Sequence, residues 1–450
     1  MRLLPPDSDV DLYKVGFGES DRLNRKSTGA KLSTLLEQIS DPLVVALDGG
    51  WGTGKSYFLK RWVGAHRIEN GGKAKTIYFD AFAHDFLEDP LIALTGVIGD
   101  NLDQTHSKLS WNGVKTAVAK VAAPLARIGA AVVTAGLTEV AGPLMDVAIA
   151  KGADETDRLT KEFWNKEHNR RAAMNQVRHN LTQMVNAAES PGLIVVVDEL
   201  DRCRPDFALG LLETIKHFFS VPKVHFVLGV NLSALEHSVR SRYGSRFDAR
   251  EYLQRFYSVS FGLPEVAGPH GQDDIGNLYF SDTAVQMGIP PRTKEAFQDL
   301  LKLRHRVARV SLRQQSRILT QIALTPSNPG IETKNEGYLL IAASLVLFHQ
   351  IAPVLYAKAK SMTLSHAEIM HFFGVDAEGY DIAEREASTY DNEAYSVAGL
   401  WHFIISGGTK PENEVQKFAR ILGVSGKQDD VRGLPQRLAR DLLEAFTLNS

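Results

Sequence analysis

The sequence predicts an α/β protein with a mostly parallel sheet, a helical insertion inside it and a helical C-terminal part. Three observations predict this. Short apolar runs, "LVVALD" at Leu43–Asp48, "TIYFDA" at Thr76–Ala81, "GLIVVVD" at Gly192–Asp198 and "VHFVLGV" at Val224–Val230, alternate with helix-like segments. Strands buried on both faces read as such continuous runs. The stretch 105–190 breaks the alternation, and beyond Pro264 helical periodicity takes over. Strands separated by helices pair in parallel through crossovers.

The elements follow in order. Ser27–Ile39 and Lys55–His66 are expected as helices on either side of the first strand. Asp89 and Pro90 open another helix, because Asp caps and Pro suits a first turn. Within 105–190 an Ala-rich segment precedes a long polar helix, Asp154–Glu189, with Leu159, Phe163, Trp164, Val177, Leu181 and Val185 on one stripe. Tyr257–Phe261 is expected as the last edge strand. The linker "PEVAGPHGQDD" then leads to helical segments at 293–325, 334–360, 364–373, 393–406, 411–423 and 433–446. The expected division is 1–104 and 191–265 for the sheet-bearing core, 105–190 for the insertion and 266–450 for the helical domain.

Composition limits the function classes. The 450 residues suffice for two or three domains, with 44% hydrophobic and 23% charged residues as in soluble globular chains. A formal charge of -2 gives no global pull toward nucleic acid or an anionic membrane. Cys203 is the single cysteine, so no disulfide forms within the chain, which fits a reducing cytoplasm. The N-terminal "MRLLPPDSDVDLYK" lacks the apolar core of a signal peptide. In 114–150 the longest uncharged run, Ile128–Thr138, is 11 residues, too short for a span of about 20. Packed helices are expected there, with membrane contact as the alternative.

The chemistry begins at "LDGGWGTGKSYF". Gly49–Ser56 matches G-x-x-x-x-G-K-[ST], between a strand and a helix, which is the Walker A loop of a P-loop NTPase. Gly49, Gly50, Trp51, Gly52, Thr53 and Gly54, followed by Lys55, Ser56 and Tyr57, form the candidate nucleotide-binding set. The glycines let backbone N–H groups point at phosphates. Lys55 supplies a positive charge near the β- and γ-phosphates, and the helix start adds its partial charge. Ser56 can offer its hydroxyl to Mg²⁺. Trp51 either covers the nucleotide or packs on the neighbouring helix.

"LIVVVDELDRCRPD" supplies the Walker B acid. Asp198 emerges at a strand's carboxyl end, where ligands bind in open α/β sheets, and is the second candidate metal residue. Glu199 beside it can polarise an attacking water, which favours hydrolysis over transfer to a small molecule. Asn231, ending the next apolar run, senses the γ-phosphate, caps the helix that follows, or does both. Arg250 and Arg255, with Arg242 and Arg246 nearby, are candidates to reach the γ-phosphate, the alternative being surface ion pairs. Arg202 and Arg204 either serve an adjacent subunit or tie down their loop. Arg313 and Arg317, four apart, share one helix face, which either responds to nucleotide or is simply a solvated face.

Six stretches together resemble the KAP family of P-loop NTPases: "LNRKSTGAKLSTLLEQI", "LDGGWGTGKSYFL", "YFDAFAHDF", "VVVDELDRCRP", "HFVLGVNLSALEHSV" and "REYLQRFYSVSFGLP". They cover most of residues 20–265. The resemblance implies an ATPase core with an additional strand and a catalytic Glu, and an insertion between Walker A and Walker B that often carries membrane helices in relatives. The charges in 114–150 depart from that pattern. The resemblance also associates bacterial relatives with anti-phage defence. The reading is a cytoplasmic Mg²⁺-dependent ATPase. ATP would be its ligand, with residues Leu23 to Lys26 near the base. The chain would act as a switch that assembles as a homo-oligomer or with a protein partner. The alternatives are a nucleotide-gated scaffold with little turnover and a nucleic-acid motor.

Overall fold

The computed structural model describes residues 11–101 apart from 19, 20 and 22, then 168, 171–185 apart from 184, 192–217, 221–267, 273–324, 335–375, 393–408, 418–424 and 427–444. The Ala-rich segment 114–150 and Leu159, Phe163 and Trp164 lie outside these residues. Among the described residues no helix is long and apolar enough to cross a membrane.

Five strands form one sheet: β1 (Val44–Asp48), β2 (Lys75–Asp80), β3 (Leu193–Asp198), β4 (Val224–Val230) and β5 (Val259–Gly262). Their order is β2-β3-β4-β1-β5, and every pairing is parallel. Thus β4 stands between the strand entering the phosphate loop and the strand carrying the acidic pair. β5 is the outer strand beside β1, as the sequence suggests for Tyr257–Phe261.

Strand side chains alternate between the two faces of the sheet. Val44, Ala46, Ile77, Phe79, Leu193, Val195, Val197, Phe226 and Leu228 join one buried cluster. Val45, Leu47, Tyr78, Ile194, Val196 and Val227 join the other. The second face is covered by α1 (Lys26–Gln38) and α2 (Lys55–Ile68) through Leu32, Leu36, Phe58, Leu59 and Trp62. The first face is covered by α3 (Pro90–Asn101), α4 (Pro205–Lys216), α5 (Leu232–Tyr243) and α6 (Ala249–Leu253). Ala173, Val177, Leu181 and Val185 belong to that same cluster, so the described part of the long polar helix uses the expected stripe. Asp89 Oδ1 accepts the Leu91 N–H at 2.9 Å, and Pro90 is the first residue of α3, as their types require.

Past the sheet, two-residue strands β6 (Val266–Ala267) and β7 (Asp273–Asp274) pair antiparallel. Helices follow: α7 (Ile275–Met287), α8 (Pro291–Val307), α9 (Leu312–Leu324), α10 (Glu336–Ile351), α11 (Pro353–Lys360), α12 (His366–Phe373) and α13 (Glu393–Ile405). They share a buried cluster drawn from residues 280–442, with Phe348, Phe373, Trp401 and Phe403 among its largest members.

Three details correct the periodicity reading. The expected run 293–325 is two helices, because Ala308 turns extended and Ser311 starts a new helix: its hydroxyl accepts the Gln314 N–H at 3.3 Å while Gln314 Oε1 accepts the Ser311 N–H at 2.9 Å. The run 334–360 breaks before Pro353, which lacks a backbone donor. The helix Ile275–Met287 was not expected, although Asp274 caps it and left-handed Gly288 ends it.

Candidate functional site

The phosphate loop leaves β1 at Asp48, whose carboxylate accepts the Leu232 N–H at 2.9 Å and so joins the ends of β1 and β4. Gly52 (φ 83°) and Gly54 (φ 89°) adopt the left-handed conformation that their lack of a Cβ permits. Gly54 precedes the first turn of α2, so the start of that helix faces the loop. The Thr53 hydroxyl donates to Gly50 O at 3.0 Å, and Lys55 Nζ donates to Gly49 O and, at 3.1 Å, to Gly50 O. Burial lowers the proton affinity of the Lys55 amine, while Asp201, Asp198 and Asp48 oppose that effect.

Asp198 ends β3 on the α2 face and is buried. Its Oδ2 accepts the Tyr78 O–H at 2.7 Å, and its Oδ1 accepts the Glu199 N–H at 2.9 Å. Burial pushes the carboxyl up; the bonds from Tyr78, Ser56 and the Glu199 amide pull it down. Glu199 has φ 60°, a conformation worth about 1–2 kcal/mol of strain for a residue with a Cβ. Such strain persists where the surroundings over-determine it. Here Arg202 Nη2 lies 3.0 Å from Glu199 Oε1, the Arg202 N–H donates to Glu199 O at 3.1 Å, and Ser56 Oγ donates to Glu199 Oε1 at 3.5 Å. Burial also raises the Glu199 carboxyl; Arg202 opposes this, and Asp80 and Asp198 add to it. The structure therefore brings Lys55, Ser56, Asp198 and Glu199 together.

The donor set fits Mg²⁺. A serine hydroxyl and a carboxylate are the hard oxygen donors that this cation takes. Asp198 Oδ2 takes the Tyr78 O–H, Oδ1 takes the Glu199 N–H, and the Ser56 hydroxyl faces the same carboxylate, so serine and aspartate oxygens converge on one point.

The other predicted residues take varied places. Trp51 does not pack into the core: it is 54% exposed, and its indole N–H donates to Asp201 Oδ2 at 2.6 Å, tying the loop to the turn after β3. Tyr57 packs with Leu312 and Tyr279 around buried Leu23 and Ile275. Asn231 caps α5, its Oδ1 accepting the Ala234 N–H at 3.2 Å. Arg255 makes an exposed contact with Glu251 at 3.8 Å, and Arg250 is exposed. Among the described residues no hydrogen bond or ion pair joins either arginine to the loop. Arg204 clamps the turn after β2 through Asp85 Oδ1 and Oδ2 at 3.0 Å each. Near the proposed base region, the buried Arg25 guanidinium donates to Pro264 O and is pushed down to about 10 by burial.

Sequence reasoning missed Tyr78 and Gly229. Gly229 interrupts an apolar strand, a recognised mark of close approach. A Cβ there would lie 2.5 Å from both Asp198 Oδ1 and Leu59 Cδ1. Gly229→Ala is expected to destabilise the fold by about 1–3 kcal/mol through overpacking, measured by denaturant unfolding. A second contact was partly legible. A Cβ on Gly52 would lie 2.6 Å from Arg313 Cβ and 3.1 Å from Ser311 Oγ, so the start of α9 rests on the phosphate loop.

Two solved structures are similar to the chain at low identity. One is the Aeropyrum pernix ORC2 protein in ADPNP–ADP complexes, at 12% identity, covering 97% of this chain and 96% of that one, with a TM-score of 0.34. The other is Drosophila ORC bound to GC-rich DNA and Cdc6, at 9% identity, covering 87% and 51%, with a TM-score of 0.33. No curated protein matches the chain. The model of the KAP family P-loop domain matches residues 25–320, a span that holds the whole described sheet, the phosphate loop, the acidic strand end and most of α9. With that match over more than half of its length, the chain belongs to the KAP family of P-loop NTPases.

Proposed function

We propose that the chain is a Mg²⁺-dependent ATPase in which nucleotide at the phosphate loop sets the position of the C-terminal helices. One observation carries the reading: Ser56, Asp198 and Glu199 meet beside a loop on which Ser311 and Arg313 rest. The position of β4 between β1 and β3 supports the additional-strand class of ATPase core.

In this reading the loop amides and Lys55 hold the triphosphate, and Leu23 and Tyr57 lie toward the base. Ser56 and Asp198 would hold Mg²⁺, which supplies positive charge to the phosphate oxygens when bound. Glu199 accepts the proton of the attacking water through its carboxylate, with Arg202 fixing its direction. Arg313, exposed at the start of α9, reaches the γ-phosphate. It then reports hydrolysis to the helices, because a ligand shifts a conformation only by binding its two states unequally. Assembly with further copies or a partner protein follows from that shift, with exposed Arg250 and Arg255 available to a neighbour.

Phosphate release from ATP, with and without Mg²⁺, tests the reading. Metal-dependent release is expected. Equal inactivity of wild type and Glu199→Gln, with ATP still bound, identifies a nucleotide-gated scaffold instead. Arg313→Ala is expected to lower turnover by about 10- to 100-fold, the scale of one charge-assisted bond of about 1.5–3 kcal/mol. It should also remove the ATP-dependent change in proteolysis of the C-terminal helices.

A further inference from the structure

We propose that Tyr78 is a positioning residue for the Asp198 carboxylate: its phenol O–H fixes the orientation from which that carboxylate faces Ser56 and a bound Mg²⁺. The proposal rests on the Mg²⁺–nucleotide reading above.

Strand register brings the two groups together. β2 and β3 pair Tyr78 with Val196 and Asp80 with Asp198, so Tyr78 is the diagonal neighbour of Asp198. Both side chains point to the α2 face, by the same two-residue alternation. Diagonal neighbours are about 7–8 Å apart, within reach of an aromatic side chain. The result is an O–H···O contact of 2.7 Å between two buried residues.

The hydroxyl is separable from the packing of its ring. The Tyr78 ring belongs to the α2-side cluster, where the ring of phenylalanine fills the same space. The backbone N–H of Tyr78 has its own partner, the Tyr13 hydroxyl at 2.8 Å. The phenol O–H donates to Asp198. With Glu199 N–H on Oδ1 and Tyr78 O–H on Oδ2, the carboxylate plane is set from both oxygens. Gly229 leaves the room that this plane needs. Partners of this kind orient metal-holding groups, and their loss typically weakens metal binding by about 10- to 100-fold.

The test uses the full chain and its Tyr78→Phe and Tyr13→Phe variants. Affinity for a fluorescent ATP analogue is measured in EDTA and across a Mg²⁺ titration. Free Mn²⁺ is followed by electron paramagnetic resonance in the presence of the analogue. Tyr78→Phe is expected to keep the EDTA affinity within about twofold and to raise the Mg²⁺ and Mn²⁺ midpoints about 10- to 100-fold. Tyr13→Phe, which touches the same strand but not the carboxylate, is expected to leave both midpoints in place. Equal midpoints in wild type and Tyr78→Phe overturn this proposal alone. So does an equal midpoint rise in Tyr13→Phe, or a loss of EDTA binding in Tyr78→Phe, since either marks a structural role. A wild type whose nucleotide affinity ignores the metal overturns the Mg²⁺ reading and this proposal together.

Discussion

Glu199→Gln is expected to lower ATP turnover by about 10²–10⁴-fold, the usual contribution of a positioned general base. The substitution keeps the size and shape of the side chain. The Ser56 hydroxyl, now 3.5 Å from Glu199 Oε1, keeps an oxygen to meet. The amide loses the ability to take a proton from water. Nucleotide affinity should therefore hold while the chemical step fails. Single-turnover phosphate release beside a nucleotide titration separates the two. Turnover equal to an active wild type would remove Glu199 from the base role and leave its strained φ of 60° without a catalytic account.

Lys55→Ala is expected to weaken triphosphate binding by about 100-fold or more. One charged bond contributes about 1.5–3 kcal/mol, and in the proposed site the amine serves two phosphates. Lys55 sits in a buried position where its charge is held against desolvation by Asp201, Asp198 and Asp48. Without the amine, those carboxylates would face the phosphates with less positive charge between them. Thermal unfolding checks this. Nucleotide at 100 times its dissociation constant stabilises a protein by about 2.7 kcal/mol. Wild type should show that rise in Tm with ATP, and the variant should not. An undiminished rise would place the nucleotide elsewhere.

The parts of the fold and site that were legible are those written locally. Gly49–Ser56 lies within one loop, and Asp198 ends one apolar run, so neither needed knowledge of distant contacts. Asn231 as a cap and Pro90 in a first turn are likewise one-helix properties. What escaped depends on tertiary register. Tyr78 matters because β2 and β3 pair at one particular offset, which no single strand states. The contact of α9 with Gly52 is legible only as a helix face able to respond to nucleotide, because the contact itself comes from packing between segments about 260 positions apart in the chain. The break at Ser311 was different: Ser311 and Gln314 carry a capping signal, and the periodicity of Leu312–Leu324 hid it. Ile275–Met287 is hidden from periodicity because its apolar residues do not gather on one stripe, although Asp274 and Gly288 mark its ends.

The alternation of the strands makes folding and chemistry answer to one constraint. Were β3 to slide by a single place against its neighbours, Val195 and Val197 would turn toward α2 and the carboxylate of Asp198 toward α3. Such a mis-threaded chain would forfeit its oily interior and its acid together. Variants that fold but have drifted in strand alignment should thus be scarce, and natural drift in this protein should gather in helix surfaces and connecting segments instead.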